Sequence, residues 1–401
     1  MIRRRLPLLA VVATLVPCAT AAAQPSGSSA VVEWNRIALQ TTARAPFDPP
    51  RETRSLAVVQ AAVLDAVTSI TRANPSYLVR VAAMHGASLD AAVASAAHRS
   101  LAGLYPDQRP ALDDEYARAL AKLEPGKARD AGAAIGDAVA SAVLALRAHD
   151  GSDVPASFDA SAGPGRWVPT PPGFLPALEP GWGGVTPFLL PSGSALRPPP
   201  PPALTSRRYA RDLREIATVG ASDSADRTPD QTAAARFWVA TAPQLWNQAV
   251  QQIVVRRRMS GTRAAHAFAL LNLAGADAFI AAWDAKLAYV QWRPVTAIRA
   301  TSDPDWKPLL VTPPFPDYPA AHTTFAGAAE TVLTALLGDA PEPLTLTSPI
   351  APAQRGYAGF REIADEVENA RVWGGVHWRS SSEVGRDLGR RIGCVALRRL
   401  G

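Results

Sequence analysis

The sequence has few of the residues that form disulfides in small exported proteins or bind metal cations. Only two of its 401 residues are cysteine, Cys18 and Cys394, and only six are histidine. It contains no H-E-x-x-H motif, no phosphate-loop lysine motif, no G-x-S-x-G motif and no cysteine-rich metal motif. These absences argue against a divalent-metal hydrolase, a P-loop enzyme, a serine hydrolase and a disulfide-rich scaffold.

Long apolar runs and strong charge are also scarce. Charged residues make up 19% and apolar residues 48% of the chain, which is typical of a globular protein. The nearest approach to a membrane span, residues 267–283, is interrupted by Asn272, Gly275 and Asp277, and so predicts a buried core helix. The densest basic run, Arg256–Arg258, is typical of a solvated helix end. We therefore expect no membrane span in the mature chain and no nucleic-acid partner.

The N-terminus has the pattern of a secretory signal peptide. Arg3–Arg5 precede a mostly apolar run over residues 6–16, and small residues ending at Ala23 follow. We predict that residues 1–23 are removed and that the protein is periplasmic or secreted. A lipoprotein at Cys18 and twin-arginine export are open alternatives. Cleavage lowers the formal charge from +6 to +3 and leaves one cysteine, too few for an intrachain disulfide.

The remaining chain predicts an all-α protein with three parts. Alanine-rich segments with helical apolar spacing fill an N-terminal helical region, residues 24–160, and a C-terminal helical region, residues 206–401. No alternating strand is predicted. Between them, residues 161–205 form a Pro-rich strap, with 13 prolines in residues 164–202. Its apolar side chains favour an extended segment packed on the helices over a free linker; they are Trp167, Phe174, Leu175, Trp182, Phe188, Leu189 and Leu190.

Three clusters in the last third of the chain carry basic residues at fixed spacings. Lys286 and Arg293 are seven residues apart, which places them on one face if the helix continues to Pro294. The Pro319–His322 cluster predicts a helix start, where free N–H groups bind anions and a histidine can act as an acid or base. Taken alone, each cluster also fits ordinary surface or helix-end residues.

The third cluster, Arg371–His377, contains Gly374 and Gly375. A straight helix would turn its arginine and histidine away from each other, but a diglycine break lets one end a helix and the other enter the next. Together the clusters predict a pocket with three cations and two imidazoles. Such a pocket can hold an oxyanion, attach one imidazole to it and keep the second for proton transfer.

The order Lys-x6-Arg-Pro, Pro-x-x-His, Arg-x5-His resembles the shared site of vanadium-dependent haloperoxidases and type 2 phosphatidic acid phosphatases. The resemblance is greatest to the soluble bacterial haloperoxidase-like branch and extends over nearly all of the mature chain. Further similar segments are Trp34–Arg36, Pro49–Arg51, the strap with Trp167 and Trp182, and Ala234–Trp238. The resemblance implies an all-helical fold of two four-helix bundles.

The resemblance also implies a cofactor and a role for each site residue. Vanadate is the expected cofactor, and phosphate can occupy the same site. His377 would bond to vanadium, which makes it the metal ligand, and His322 would be the catalytic acid or base. The other cofactor-binding positions are Lys286, Arg293, Arg371 and the backbone at Ala320 and Ala321. Trp283 and Phe315 match a wall beside the halide.

Two positions depart from the family pattern. The family usually has Ser-Gly before its first histidine, where this chain has Ala320 and Ala321. It commonly has an aspartate four residues after the second histidine, where this chain has Ser381. The lost hydroxyl and carboxylate predict a weaker site, by about 1–3 kcal/mol for a charged hydrogen bond.

Three functions are consistent with these residues. The first is a vanadate-dependent haloperoxidase that uses hydrogen peroxide and a halide. The second is an exported acid phosphatase that acts on a small phosphate ester through a phosphohistidine at His377. The third is a non-catalytic helical protein that binds an oxyanion. The sequence leaves a homodimer, the halide preference and the organic substrate open. Three neighbouring cations should favour the neutral form of His322 before an anion binds.

Overall fold

The computed structural model describes residues 28–338, 342–351 and 353–401. The predicted signal peptide, including Cys18, lies outside the described residues. Within them the fold is mainly helical, and the predicted all-α class is confirmed. The one described cysteine, Cys394, is exposed and unpaired.

Thirteen α-helices are found in the described part of the chain. Five precede the strap: α1 (Ser28–Arg44), α2 (Pro49–Thr71), α3 (Leu89–Leu104), α4 (Arg109–Ala121) and α5 (Lys127–Arg147). Eight follow it: α6 (Arg207–Val219), α7 (Pro229–Phe237), α8 (Ala242–Arg256), α9 (Gly261–Tyr289), α10 (Pro294–Thr301), α11 (Ala321–Leu337), α12 (Phe360–Trp373) and α13 (Arg379–Leu400).

A small hairpin corrects the expectation that the chain has no strand. Strands β1 (Leu344–Thr347) and β2 (Gln354–Tyr357) pair antiparallel, with Leu344 opposite Tyr357. The alternation in β1 is real, because its leucines are buried and its threonines are exposed. Four residues are too short a pattern to separate a strand from a loop by sequence.

The helices form two bundles that meet through their longest members. Helices α2, α3 and α5 pack together with α1, and α9, α11, α12 and α13 form the second group. Helix α2 packs along α9 and joins the two cores. Both α2 and α9 are long and apolar enough to cross a membrane by length and composition, but their most apolar windows are 89% and 94% buried. They serve here as core helices.

A buried carboxylate docks the strap onto α9. Asp277 accepts hydrogen bonds from the backbone N–H groups of Phe188, Leu189 and Leu190 at 2.6, 2.8 and 2.7 Å. These bonds explain the polar residue inside an otherwise apolar helix, because a buried carboxylate needs donors. They also fix the path of the strap across the second bundle.

The strap is not buried along its whole length. Trp167 and Trp182 are buried, whereas Phe174 and Leu175 are 64% and 57% exposed. Trp167 donates its backbone N–H to the carbonyl of Val290 at 2.9 Å, so the strap pairs with the chain just after α9. This pairing decides where α9 ends.

Candidate active site

Lys286 and Arg293 reach the same place from two different helices. Helix α9 ends at Tyr289, Val290 has a left-handed φ of 52°, and Arg293 is the N-cap of α10. The prediction of one continuous helix face is therefore wrong, because the chain turns at Val290 and Gln291 then pairs with Arg166 of the strap. The two cations still converge. The Lys286 Nζ atom and the Arg293 guanidinium carbon lie 5.0 and 4.8 Å from the centre of the Phe315 ring.

Arg293 is fully buried and only partly hydrogen-bonded. Its Nε donates to the carbonyl of Phe315 at 2.8 Å, and its Nη1 donates to the carbonyl of Val376 at 2.6 Å. The Nη1 atom also lies 3.2 Å from His377 Nε2. Its Nη2 has no partner among the described residues. Burial lowers the pKa of Arg293 to about 10, against an opposing effect of Asp317.

Lys286 uses all of its donors on the backbone. Its Nζ donates to the carbonyls of Pro316, Asp317 and Pro319 at 2.9, 2.7 and 2.6 Å. An ammonium group has three hydrogens, so these bonds exhaust it. Burial and then Arg293 hold the pKa of Lys286 well below its usual range. Because only an ammonium can serve all three carbonyls, Lys286 contributes charge to the site while it fixes the turn before α11.

His322 lies in the first turn of α11, where the sequence predicted it. Its Nε2 is 3.3 Å from the carbonyl of Ala240. Because a carbonyl only accepts, this contact assigns the hydrogen to Nε2 and leaves the lone pair on Nδ1. Burial and then Arg371 hold the pKa of His322 well below its usual range. The direction is the predicted one, although burial outweighs the cations as its cause.

The diglycine lets Arg371 and His377 share the site. Helix α12 ends at Trp373, and Gly375 has a φ of 73°, where a Cβ would lie 2.4 Å from the carbonyl oxygen of Gly220. Arg371 donates from Nη1 to the carbonyl of Trp238 at 2.9 Å, and its buried Nε lacks a partner in the described chain. Burial and then Arg293 lower the pKa of Arg371 to about 9.

Asp317 is a site residue that the sequence reasoning missed. Its Oδ1 lies 3.0 Å from His377 Nδ1, and both side chains are buried. The contact has the distance of a hydrogen bond but not its angle, since both Asp317 carboxylate oxygens lack a hydrogen-bonded partner in the described residues. The signal in the sequence is an acidic residue inside the Pro-rich segment just before His322, whereas the family pattern has its aspartate after the second histidine, His377.

Ser381 fills the position where a carboxylate was expected. Its Oγ donates to the main-chain carbonyl of Asp317 at 3.2 Å. The hydroxyl therefore supports the segment that carries Asp317. The carboxylate that is missing at position 381 is supplied to the site by Asp317.

The two alanines before His322 differ in what they offer. The backbone N–H of Ala320 donates to the carbonyl of Ser381 at 3.1 Å, so it is already used. Ala321 begins α11, and the first N–H groups of a helix have no intrahelical acceptor. Of the two predicted backbone positions, Ala321 is the one that can face an anion.

Trp283 and Phe315 form one wall of the site. Their ring centres are 4.9 Å apart, and the Lys286 ammonium faces both rings. Trp283 donates its Nε1 to the carbonyl of Leu178 in the strap at 3.1 Å. The predicted halide-side wall therefore lies beside the cations and is held by the strap.

Comparisons with known proteins show similarity to vanadium haloperoxidases. Residues 266–400 match the family model of the VCPO second helical-bundle domain. The chain is 26% identical over 264 residues to the vanadium chloroperoxidase of Curvularia inaequalis, over 47% of this chain and 43% of that protein. The chain thus spans less than half the length of this curated relative.

The crystal structure of a bacterial vanadium-dependent iodoperoxidase superposes with a TM-score of 0.85 at 26% identity, over 93% of this chain and 97% of that one. The chain is similar in sequence and fold to this vanadium-dependent enzyme. A holo-type bacterial vanadium-dependent chloroperoxidase superposes with a TM-score of 0.75 at 18% identity, over 94% and 96% of the two chains, and shares the fold. The vanadium haloperoxidase fold is therefore shared over 93–94% of the chain.

The site residues fit the vanadate of the vanadium haloperoxidases. Arg293 Nη2 and Arg371 Nε are buried donors without partners among the described residues, as an oxyanion site requires. In the same part of the chain no group of three or more His, Cys, Asp or Glu residues could hold a metal cation. Burial, then the cations, keep the pKa of His377 well below its usual range, so its imidazole is neutral and can act as a ligand.

Proposed function

We propose that this protein is a vanadate-dependent haloperoxidase that oxidises a halide ion with hydrogen peroxide. The observation that carries the proposal is a buried cluster of Lys286, Arg293 and Arg371 with one carboxylate, Asp317. Buried charges of one sign that are not neutralised by the protein are costly, so such a cluster calls for a bound anion. The similarity to vanadium haloperoxidases supports vanadate as that anion.

Each site residue has a separate role in the proposed reaction. Arg293 and Arg371 would hold oxyanion oxygens through their unpaired donors, and Lys286 would add charge from behind its three carbonyls. His377 would present Nε2 to the vanadium. Vanadate, when bound, supplies a Lewis acid that polarises the O–O bond of hydrogen peroxide.

Proton transfer would fall to His322. The net reaction converts hydrogen peroxide, a halide ion and one proton into a hypohalous acid and water. The lone pair on His322 Nδ1 can take up and return that proton, since its Nε2 is held by Ala240. The wall of Trp283 and Phe315 would keep water away from the halide.

Halogenation of monochlorodimedone tests the proposal directly. The purified protein is incubated with vanadate and assayed with hydrogen peroxide and, in turn, iodide, bromide and chloride. We expect halogenation that requires vanadate and is lost in His377→Ala. An exposed-site control on α9, Arg263→Met, should keep it. Inactivity with all three halides would overturn the proposal.

Asp317 favours phosphatase activity as a second candidate. A phosphohistidine mechanism needs an imidazole that is oriented by a carboxylate, and the contact between Asp317 and His377 supplies one. Hydrolysis of p-nitrophenyl phosphate, inhibited by vanadate and abolished in His377→Ala, would identify this activity. A protein that halogenates but leaves this ester intact would exclude it.

We also propose that residues 1–23 direct export and are then removed. The basic start, the apolar run and the small residues at the end support this. Protein recovered from the periplasm or medium should begin at Gln24 by mass spectrometry. Intact protein that retains Met1 and stays in the cytoplasm would contradict export. Sedimentation of the same sample tests the homodimer.

A further inference from the structure

The main chain of Asp317 is held at three points around the site. Its N–H donates to the carbonyl of Gln291 at 2.9 Å, between α9 and α10. Its carbonyl accepts from Lys286 Nζ at 2.7 Å and from Ser381 Oγ at 3.2 Å. Three anchors from separate parts of the chain leave the carboxylate little freedom of position.

The carboxylate lies against the imidazole of His377. Its Oδ1 is 3.0 Å from His377 Nδ1 and 3.8 Å from Arg293 Nη1, and the side chain is fully buried. No other acidic side chain of the described residues has an ion-pair contact with His377. Asp317 is thus the carboxylate that can orient this ring.

The neighbours of His377 select one tautomer. Arg293 Nη1 can only donate, and it lies 3.2 Å from His377 Nε2 but 3.5 Å from His377 Nδ1, so the shorter contact places the lone pair on Nε2. The hydrogen then sits on Nδ1, facing Asp317. In this tautomer Nε2 is the nitrogen that can act as a ligand.

We propose that Asp317 is the positioning residue of His377, holding the imidazole with Nδ1–H towards the turn before α11 and Nε2 towards the bound anion. The carboxylate that the related motif places four residues after this histidine comes here from the segment before His322. This inference rests on the proposed oxyanion site, and it concerns the bond that His377 makes there.

The proposal predicts that Asp317→Asn changes the affinities for phosphate and for vanadate differently. A negative Asp317 repels any oxyanion, so Asp317→Asn should leave phosphate affinity unchanged or raise it. Vanadate gains an additional bond from His377, and loss of the partner of a metal-binding histidine lowers metal affinity by about 10- to 100-fold. The substitution keeps the size of the side chain and removes its charge.

Titration calorimetry with vanadate and, separately, with inorganic phosphate measures both affinities. The proteins are the wild type, Asp317→Asn and the control Asp212→Asn. Asp212 is also buried and accepts the backbone N–H of Ser380 at 2.9 Å near the start of α13, without touching His377. In Asp317→Asn we expect weaker vanadate binding without weaker phosphate binding, and in the control no such contrast. In a His377→Ala background, Asp317→Asn should no longer weaken vanadate binding.

The outcomes distinguish the two proposals. Failure of the wild type to bind either anion would remove the oxyanion site itself. Binding of both anions by the wild type, with equal losses or no loss in Asp317→Asn, would overturn the positioning role alone. If Asp317→Asn does not fold, ¹⁵N NMR of His377 in the wild type decides. We expect hydrogen on Nδ1, and hydrogen on Nε2 would refute the proposal.

Discussion

Replacing Arg371 by methionine should stabilise the protein without ligand and weaken its binding of vanadate. Burial lowers the pKa of Arg371 to about 9, well below the ordinary value of an arginine. A basic group whose pKa is lower in the folded than in the unfolded protein destabilises the fold. The full cost applies at any pH below the folded-state pKa, and therefore at pH 7. At about 1.4 kcal/mol per pKa unit, the difference corresponds to about 5 kcal/mol.

Part of this gain is offset by lost contacts. The Nη1 hydrogen bond to the carbonyl of Trp238 disappears, and an acceptor left without a partner costs about 1–3 kcal/mol. We therefore expect Arg371→Met to raise the free energy of unfolding by about 2 kcal/mol in the absence of anions. Urea unfolding at pH 7 measures this change.

Vanadate should remove most of the stability advantage of Arg371→Met and bring the two proteins to within about 1 kcal/mol of each other. At a ligand concentration of about 100 times Kd, a bound ligand stabilises a protein by about 2.7 kcal/mol. Loss of one charged hydrogen bond weakens binding by about 10- to 100-fold, which leaves a stabilisation of about 0.4–1.4 kcal/mol at the same concentration. Arg263→Met, at an exposed position of α9, is the control and should change neither quantity. A variant that is less stable without anion, yet equally stabilised by vanadate, would refute the reasoning.

Three further predictions test the start of α11, the strap and the proton donor. Ala320→Ser should raise the free energy of unfolding by about 1 kcal/mol, because Ala320 is the N-cap of α11 and has no side-chain acceptor. The added hydroxyl should also tighten vanadate binding. If calorimetry shows that both stability and vanadate affinity fall, the packed α13 leaves no room for the serine side chain. Asp277→Asn should lower the free energy of urea unfolding by about 2–4 kcal/mol, because an amide group faces three N–H donors. Since burial raises the pKa of Asp277 to about 6, the wild-type advantage should shrink from pH 4 to pH 7, and a constant difference would contradict this. His322→Ala should lower the halogenation rate by about 100- to 10,000-fold with little change in vanadate affinity; parallel losses would assign His322 to binding.

Most of the fold could be predicted from local helix signals in the sequence. Helix α7 begins at such a local signal, with Thr228 as the N-cap, Pro229 in the first turn and a capping box between Thr228 and Gln231. The diglycine predicted the break between α12 and α13. These features depend on residues close in sequence, so a single sequence contains them.

The predictions that were wrong or missing concern contacts between residues that are far apart in the sequence. Helix α9 ends early because the strap, more than a hundred residues away, pairs with the chain at Gln291. Asp317 meets His377 only after the turn before α11 is tied to Lys286. Neither contact has a local pattern, and both decide how the site is built.

Spectroscopy at the vanadium atom tests the central claim most directly. X-ray absorption at the vanadium edge should be recorded on the vanadate-loaded wild type and on His377→Ala. The account predicts an imidazole nitrogen bound to vanadium in the wild type and its absence in the variant. Vanadium surrounded by oxygen alone in the wild type, or the same nitrogen signal in both proteins, would contradict a site built around His377.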